Sequence, residues 1–217
     1  MNRRILDQSS KLKDVLYEIR GSALAEADRL EADGHRVLKL NTGNPAIFGF
    51  EAPFQIVRDM IESVPNAHGY SDSRGILSAR RAVVSRYEEV PGFPHVDPDD
   101  VYLGNGVSEL ITMTMQALLD EGDEVLIPAP DYPLWTAMTS LGGGKPVHYL
   151  CDSAQGWEPD LDDIRSKVTP QTKAIVVINP NNPTGAVYSR EVLEGIVQIA
   201  RENSLLLLSD EIYDRIL

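Results

Sequence analysis

An amide-rich loop, Asn-Pro-Asn-Asn-Pro-Thr-Gly at residues 179–185, directly follows the apolar run 174–178. Its two prolines and its glycine end a strand at once and fix the course of the chain. Open α/β sheets bind their ligands beyond the carboxyl ends of their strands. We therefore expect this segment, the amide loop, to bind a ligand, with Asn182 among its binding side chains.

A carboxylate and a phenol follow a second apolar run, 205–208, where residues 209–213 read Ser-Asp-Glu-Ile-Tyr. Asp210 lies 28 residues after Asn182. One strand-helix-strand unit between them would bring both strand ends into the same crevice. Asp210 and Tyr213 are therefore expected beside the amide loop.

The turn Gly104-Asn105-Gly106 precedes an apolar helical segment and offers unpaired backbone N–H groups to an anion at the positive end of a helix dipole. A phosphate fits such a turn. The turn is not a Gly-x-Gly-x-x-Gly motif and lacks the lysine of a P-loop, which argues against a dinucleotide or a nucleoside triphosphate. On its own, a Gly-Asn-Gly turn is more often structural than functional.

Four side chains complete the candidate site. Each also has a purely structural interpretation. Tyr132 could pack within its loop and Asn182 could be a turn residue, whereas Asp210 could cap a helix and Tyr213 could belong to the core. With the glycine turn they supply a phosphate cradle, an aromatic plate, an amide, a carboxylate and a phenol. This set suits a phosphorylated aromatic ring that carries both a basic nitrogen and a phenolic oxygen.

Alternating strands and helices are expected to position these residues. Apolar runs predict strands at 101–103, 124–127, 147–150, 173–178 and 205–208, with helices between them. This alternation predicts an α/β fold with a mainly parallel sheet and helices on both faces. Earlier in the chain, helical spacing predicts two short helices over 12–19 and 24–30, interrupted at Gly21, and further helices over 54–61 and 76–87; a short strand is predicted at 37–40.

The composition narrows the class of partner. The chain has 217 residues, of which 20 are basic and 33 acidic, and its net charge of −13 repels nucleic acids and anionic membrane surfaces. The single Cys151 allows no internal disulfide and is expected to be a small buried apolar residue. The sequence shows neither a signal peptide nor an apolar run long enough to cross a bilayer, so we expect a cytoplasmic protein.

Six stretches carry a resemblance to a known family. Through these stretches, which occur in the same order along the chain, the sequence resembles the fold type I pyridoxal-phosphate enzymes, specifically the class I aminotransferases and most closely the bacterial alanine aminotransferases. The matching stretches are Leu-Asn-Thr-Gly-Asn-Pro (40–45), Gly-Tyr-Ser-Asp-Ser-Arg-Gly (69–75), Gly-Asn-Gly-Val-Ser-Glu-Leu (104–110), Pro-Ala-Pro-Asp-Tyr-Pro-Leu-Trp (128–135), the amide loop (179–185) and Ser-Asp-Glu-Ile-Tyr (209–213).

The resemblance implies pyridoxal 5′-phosphate as the cofactor and gives the ring-binding residues their roles. Asp210 would pair with the pyridine nitrogen and keep it protonated, so that the ring can accept electrons. Tyr213 and Asn182 would hydrogen-bond the phenolic oxygen, and Tyr132 would stack on the ring.

The resemblance also implies the contacts outside the ring. Gly106, Val107 and Ser108 would hold the phosphate, and Tyr70 would reach it from the second subunit of a homodimer. Gly43 and Asn182 would contact the substrate, an amino acid or a 2-oxo acid. No metal is implied.

Two parts of the family site are missing from these residues. The Schiff-base lysine, in a Ser-x-x-Lys-like context, and the arginine that clamps the substrate carboxylate are expected beyond Leu217, and neither Lys145 nor Lys173 matches the position of that lysine. The chain is therefore expected to be an amino-terminal portion without a catalytic residue of its own, and inactive alone. Residues 1–45 would form an arm and the start of the small domain, and 46–217 an incomplete large domain.

The resemblance favours transamination of L-alanine with 2-oxoglutarate. Because the cofactor-binding residues do not determine the substrate, an aspartate or aromatic aminotransferase or a C–S lyase stays an alternative. A non-catalytic binding or dimerisation module is a further alternative from a different class.

Overall fold

The computed structural model describes residues 7–13, 15, 21–39 and 43–216. Its backbone contacts divide the chain into a sheet unit, Met1–Ile19 with Gly104–Leu217, and a helical unit, Arg20–Leu103. Two of the segments predicted from the sequence include residues outside these ranges. Most of the helical segment predicted over 12–19 and the first half of the 40–45 motif lie outside the described residues.

The helical unit contains α1 Gly21–Ala32, α2 Phe54–Ser63 and α3 Leu77–Glu88, with 3-10 turns at Pro45–Phe48, Val64–Asn66 and Pro98–Asp100. The strand predictions at 37–40 and 101–103 are wrong where the structure describes them, because neither segment has a neighbouring strand to pair with. At the second segment the backbone makes only loop contacts among the described residues: the Val101 N–H donates to the Pro98 carbonyl oxygen at 3.3 Å, and the Leu103 N–H to the Arg74 carbonyl oxygen at 2.8 Å.

The sheet unit begins with a 3-10 turn at Ser10–Leu12 and then alternates helices and strands. In chain order its elements are α4 Val107–Leu118, β1 Glu124–Ala129, α5 Pro133–Leu141, β2 Lys145–Asp152, β3 Glu158–Pro159, α6 Leu161–Lys167, β4 Thr172–Ile178, α7 Arg190–Glu202 and β5 Leu206–Asp210. The strand order is β3-β2-β1-β4-β5, and all neighbours are parallel except the short β3, which pairs antiparallel with β2. The predicted mainly parallel sheet is confirmed.

Alternating side chains on the central strands build two cores. Val125 and Ile127 of β1 pack with α4 and α5 on one face, whereas Leu126, between them, packs with α6 and α7 on the other face. Such alternation follows from the two-residue repeat of a strand, and burial on both faces explains the nearly continuous apolar runs of β1 and β4. Helices therefore cover both faces, as predicted.

The order of the strands creates a crevice at the carboxyl ends of β1 and β4. The chain leaves β1 towards β2 on one side and leaves β4 towards β5 on the other side. The loops after β1 and β4 therefore diverge, and doubly wound sheets bind ligands at this switch point. The loop after β1 carries Tyr132, and the loop after β4 is the amide loop.

The described residues contain neither a membrane-spanning helix nor a metal-binding cluster. None of the helices there is long and apolar enough to cross a bilayer. No group of three or more His, Cys, Asp or Glu side chains in the same residues is placed to hold a metal ion.

Candidate active site

Asn181 organises the amide loop from inside. Its side chain is buried, and its Oδ1 accepts hydrogen bonds from the backbone N–H and the hydroxyl of Thr184 at 3.1 and 2.8 Å. Its Nδ2 donates to the Tyr188 hydroxyl at 3.1 Å. The side chain thus folds the loop back on itself, which leaves the neighbouring Asn182 half-buried at the loop surface.

Asn179 joins the amide loop to the end of β5. Its backbone N–H donates to the carbonyl oxygen of Asp210 at 3.0 Å, and its Oδ1 accepts from the backbone N–H of Tyr188 at 3.0 Å. The loop therefore continues the β4–β5 pairing, in which Ile178 lies opposite Asp210. Asp210 and the loop that carries Asn182 are held in one register.

A cleft of about 300 Å³ opens at this edge of the sheet unit. It is lined by the amide loop and by the turn after β5, including Pro180, Asn181, Asn182, Pro183, Gly185, Tyr213 and Ile216. Its volume is at the lower end of the range for small-molecule sites. An amide and a phenol, both predicted to contact one oxygen of a ligand, share this cleft.

Asp210 is a buried carboxylate, with 4% of the residue exposed. Its Oδ2 accepts a hydrogen bond from the indole Nε1–H of Trp135 at 3.0 Å, and its Oδ1 accepts from the Ile212 backbone N–H at 3.4 Å. Among the described residues, no Lys, Arg or His nitrogen lies within 4.0 Å of this carboxylate. A buried carboxylate is costly unless it is paired, so Asp210 suits a cationic ligand group.

Tyr132 stands directly before α5 and is half-buried against the α4/α5 face of the core. Its carbonyl oxygen accepts from the Trp135 backbone N–H at 3.1 Å, within the first turn of the helix. The residue predicted to stack on the ring and the residue that holds Asp210 therefore lie on the same helical turn.

The Gly104–Gly106 turn leads into α4 with an unusual backbone. Gly106 has φ 77° and ψ 174°, a conformation that side chains strongly disfavour, and open space lies where its Cβ would be. Its N–H donates to the Gly104 carbonyl oxygen at 2.9 Å, so in this structure the amide is already engaged. The N–H groups of Val107 and Ser108, in the first turn of α4, have no partner inside the helix. They are therefore more available to an anion than the N–H of Gly106.

Glu109 occupies part of the same helix start. Its Oε2 accepts from the Asn105 backbone N–H at 2.5 Å. This carboxylate sits where negative charge is favoured by the helix dipole. The Asn105 N–H in this turn is therefore already engaged by an acidic side chain of the chain itself.

Gly43 and Tyr70 belong to the helical unit and are both exposed; the Tyr70 side chain is fully so. The loop that carries Tyr70 is held by Arg80, which is only 3% exposed and donates to the Gly75 carbonyl oxygen at 3.0 Å and to Asp72 at 3.3 Å. The exposed Tyr70 side chain therefore extends from a loop that is held in place by the hydrogen bonds of Arg80.

Neither lysine that sequence reasoning rejected lies near Asp210. Lys145 begins β2 and binds Glu124 at 2.9 Å, and Lys173, near the start of β4, binds Asp123 at 2.7 Å. Both therefore lie at the amino ends of parallel strands. Asp210 lies at the carboxyl end of β5, on the opposite side of the sheet along the strand direction. At about 3.3 Å per residue along the strands, it is roughly 20 Å from these lysines.

Cys151 is buried, as predicted, and faces the α6/α7 core. Burial raises the pKa of its thiol to about 11, although the Tyr188 hydroxyl lies 4.0 Å away. A thiol with this pKa is protonated near neutral pH and is a poor nucleophile. Cys151 is a structural residue.

A larger open depression of about 840 Å³ runs along α7. Its lining is a charged helix surface that includes Arg190, Glu194, Gln198 and Arg201, and Arg190 pairs with Glu194 at 3.2 Å. Gln198 donates to Glu202 at 2.7 Å. The lining of this depression includes none of Asn182, Asp210 and Tyr213. The smaller cleft at the amide loop is therefore the better candidate site.

Sequence reasoning gave no role to Trp135, Asn181 or Tyr188. A signal for Trp135 was available, because a buried indole N–H requires an acceptor and Trp135 lies three residues after Tyr132 on the same helix face. No sequence signal distinguished Asn181, which is buried, from Asn182, which faces the cleft.

Comparisons with known proteins agree with this architecture. The family described as aminotransferase class I and II matches residues 35–217. An alanine aminotransferase of Mycobacterium tuberculosis is 72% identical over 215 residues, which cover 99% of this chain and 50% of that protein. A glutamate-pyruvate aminotransferase of Escherichia coli is 60% identical over 212 residues, which cover 98% of this chain and 52% of that protein.

Among solved structures, the alanine aminotransferase from Pyrococcus furiosus superposes with a TM-score of 0.90 at 42% identity, over 96% of this chain and 53% of that one. The chain spans about half the length of the curated relatives it matches. The family match extends over most of the chain and includes the glycine turn, the amide loop and the end of β5. The chain belongs to the class I and II aminotransferase family.

Proposed function

We propose that this chain is the amino-terminal, cofactor-holding portion of a pyridoxal 5′-phosphate-dependent alanine aminotransferase. The observation that carries the proposal is the Asp210 carboxylate, which is buried without a cationic partner among the described residues. Asp210 ends β5, which pairs with β4, and the amide loop that follows β4 lines the cleft shared by Asn182 and Tyr213. A protonated pyridine nitrogen is a cationic group of the right kind.

The residues at this edge fit the cofactor by their chemistry. Asp210 would hold the ring nitrogen, Asn182 and Tyr213 the phenolic oxygen, and Tyr132 the ring face. When bound, the cofactor supplies an electron sink for the bond broken at the substrate's α-carbon. The chain's own residues contribute by keeping the ring nitrogen protonated and by fixing the ring plane.

The phosphate would lie at the start of α4. Val107 and Ser108 offer backbone N–H groups there, and Gly106 lets the backbone approach without a side chain. Because the Gly106 N–H bonds to Gly104 in this structure, we assign the larger share of phosphate binding to the two residues that follow. Tyr70 would contribute from the partner in a homodimer.

The substrates are proposed to be L-alanine and 2-oxoglutarate, with Gly43 and Asn182 as substrate contacts. Support comes from the names of the relatives that are 72% and 60% identical, an alanine aminotransferase and a glutamate-pyruvate aminotransferase. We further propose a cytoplasmic enzyme, a domain boundary near residue 45, and no turnover by the 217 residues alone. The two lysines at the opposite sheet edge cannot serve the ring that Asp210 would hold.

An amino-donor panel tests the proposal. The product of the complete gene is incubated with 2-oxoglutarate and with L-alanine, L-aspartate or L-tyrosine, and the 2-oxo acid formed is measured; L-cysteine is tested separately for sulfide release. We expect L-alanine to give the highest kcat/KM and the 217-residue chain to give no product. A preference for aspartate or tyrosine, sulfide release as the main reaction, or turnover by the chain alone would contradict the proposal.

A further inference from the structure

Trp135 holds Asp210 from the side of α5. Its indole Nε1–H donates to Asp210 Oδ2 at 3.0 Å, and the two residues are 5% and 4% exposed. The indole belongs to the core between the sheet and helices α4 and α5. On the same helix, the buried Thr139 hydroxyl donates to the Trp135 carbonyl oxygen at 2.8 Å. The indole is therefore held by close packing in the core, with its N–H directed at Asp210.

The two oxygens of the Asp210 carboxylate differ in their surroundings. Oδ2 has the short bond from the indole, whereas the donor to Oδ1 among the described residues is the Ile212 N–H at 3.4 Å, which is long for a hydrogen bond. An ionised carboxylate can accept several hydrogen bonds. Oδ1 thus keeps most of its acceptor capacity.

Resting on the proposed function, we infer that Trp135 is a positioning residue: it anchors Oδ2 of Asp210 so that the carboxylate is presented to the ring nitrogen of the cofactor. Indole is a hydrogen-bond donor only and does not titrate in the accessible pH range, so the anchor persists when pH changes. Backbone contacts support the same geometry, since the Asp210 carbonyl oxygen is held by the Asn179 N–H. The carboxylate is thereby fixed before any ligand arrives.

The first test needs neither a ligand nor a substitution at position 135. The chain has two tryptophans, and Trp157 is 38% exposed, so its indole N–H serves as the internal reference. In 15N-labelled protein we expect the Trp135 Nε1–H to exchange with solvent at least roughly tenfold more slowly than that of Trp157, and to lose that protection in Asp210→Ala. Equal exchange of the two indoles, or protection unchanged by Asp210→Ala, would overturn the inference.

The second test separates positioning from general packing. Trp135→Phe and the matched control Trp157→Phe are titrated by calorimetry with pyridoxamine 5′-phosphate and with its 1-deaza analogue, in which a C–H replaces the ring nitrogen. We expect Trp135→Phe to weaken pyridoxamine 5′-phosphate roughly tenfold and the analogue by less than about twofold, because only the former pairs with Asp210. Trp157→Phe is expected to change neither affinity.

The outcomes distinguish this inference from the proposed function. If Trp135→Phe weakens both ligands equally, or weakens neither, the positioning role is wrong while the cofactor site stands. If the wild-type chain binds neither ligand, the proposed function fails, and the exchange measurement still decides whether the indole holds Asp210.

Discussion

The backbone N–H of Asn179 donates to the carbonyl oxygen of Asp210 at 3.0 Å, one step beyond the last paired residues of β4 and β5. Through this bond the amide loop and the carboxylate at the end of β5 form a single unit. The loop presents an amide to the cleft, and the strand end holds a carboxylate behind it. The relative placement of Asn182 and Asp210 therefore depends on the backbone between them.

Asn181 is expected to be essential for this unit, although it does not need to touch a ligand. Asn181→Ala removes the acceptor of two Thr184 hydrogen bonds and the donor to Tyr188. We expect a loss of about 2 kcal/mol in the free energy of unfolding, because buried polar partners are left unsatisfied. Urea unfolding measures the loss.

Asn203→Ala is the matched control for Asn181→Ala. Its side chain makes one bond, to the Ile199 carbonyl oxygen at the end of α7, and lies away from the loop. We expect it to lose about 1 kcal/mol or less and to leave pyridoxamine 5′-phosphate binding unchanged. Equal losses in the two variants would show that the amide loop is not organised by Asn181.

Gly106→Ala tests the start of α4. At φ 77° and ψ 174° an alanine is strained by about 1–3 kcal/mol, although open space surrounds its Cβ. Gly156 also has a positive φ, 70°, with open space, but its ψ of 21° lies in the left-handed region that alanine tolerates better.

We expect Gly106→Ala to lower both the thermal stability and the affinity for pyridoxamine 5′-phosphate, whereas Gly156→Ala lowers stability slightly and leaves affinity unchanged. Thermal unfolding and calorimetry on the same preparations give both quantities. Unchanged affinity in Gly106→Ala would remove the glycine turn from the phosphate site.

Glu124 is expected to make stability depend on pH. Its Oε2 accepts from the Thr169 hydroxyl at 2.6 Å and its Oε1 from Lys145 at 2.9 Å, and these bonds lower the pKa of the carboxyl below its usual value. A carboxyl with a lowered pKa in the folded state stabilises the protein above its unfolded pKa, and this contribution is lost as pH falls through the folded value.

Glu124→Gln should therefore cost about 1 kcal/mol at pH 7 and progressively less at an acidic pH, as the pH falls through the lowered pKa and the wild-type carboxyl becomes protonated. Urea unfolding at the two pH values measures the difference, with the exposed Glu121→Gln as the control. A cost that stays constant with pH would mean that the charge of Glu124 contributes nothing.

Cys151 is expected to resist modification. Burial raises the pKa of its thiol to about 11, and only the thiolate reacts quickly with a disulfide reagent. As the chain has a single cysteine, the colour released by dithionitrobenzoate at pH 8 reports on it alone. We expect reaction at least roughly a hundredfold slower in the folded chain than in urea; equal rates would contradict the buried position.

The sequence was sufficient to predict the layers of the fold, because short apolar runs marked the buried strands and helical spacing marked the helices between them. The amide loop, Asp210 and Tyr213 were expected at one edge of the sheet, since parallel strands bring their carboxyl ends together. The structure has Asn182 and Tyr213 in one cleft and Asp210 beside it through Asn179. Strand order was open, so the switch point between β1 and β4 emerged only from the structure.

Other features depend on long-range contacts that a sequence pattern does not contain. The bond between Trp135 and Asp210 joins residues that are 75 positions apart, and only the packing of α5 against the sheet brings them together. The segment 101–103 has the composition of a strand but finds no partner strand, which is why its propensity misled. The two-residue β3 is too short for any periodicity to mark it.

The central claim is that Asp210 holds the ring nitrogen of a pyridoxal-type cofactor, and calorimetric titration of the chain with pyridoxamine 5′-phosphate tests it most directly. This form of the cofactor requires no lysine to bind. Asp210→Asn is compared with Asp214→Asn, an exposed aspartate in the following turn. We predict binding by the wild type, a loss of at least roughly tenfold in Asp210→Asn and a change within about twofold in Asp214→Asn. No binding by the folded wild-type chain, or equal affinities of the wild type and Asp210→Asn, would contradict the claim.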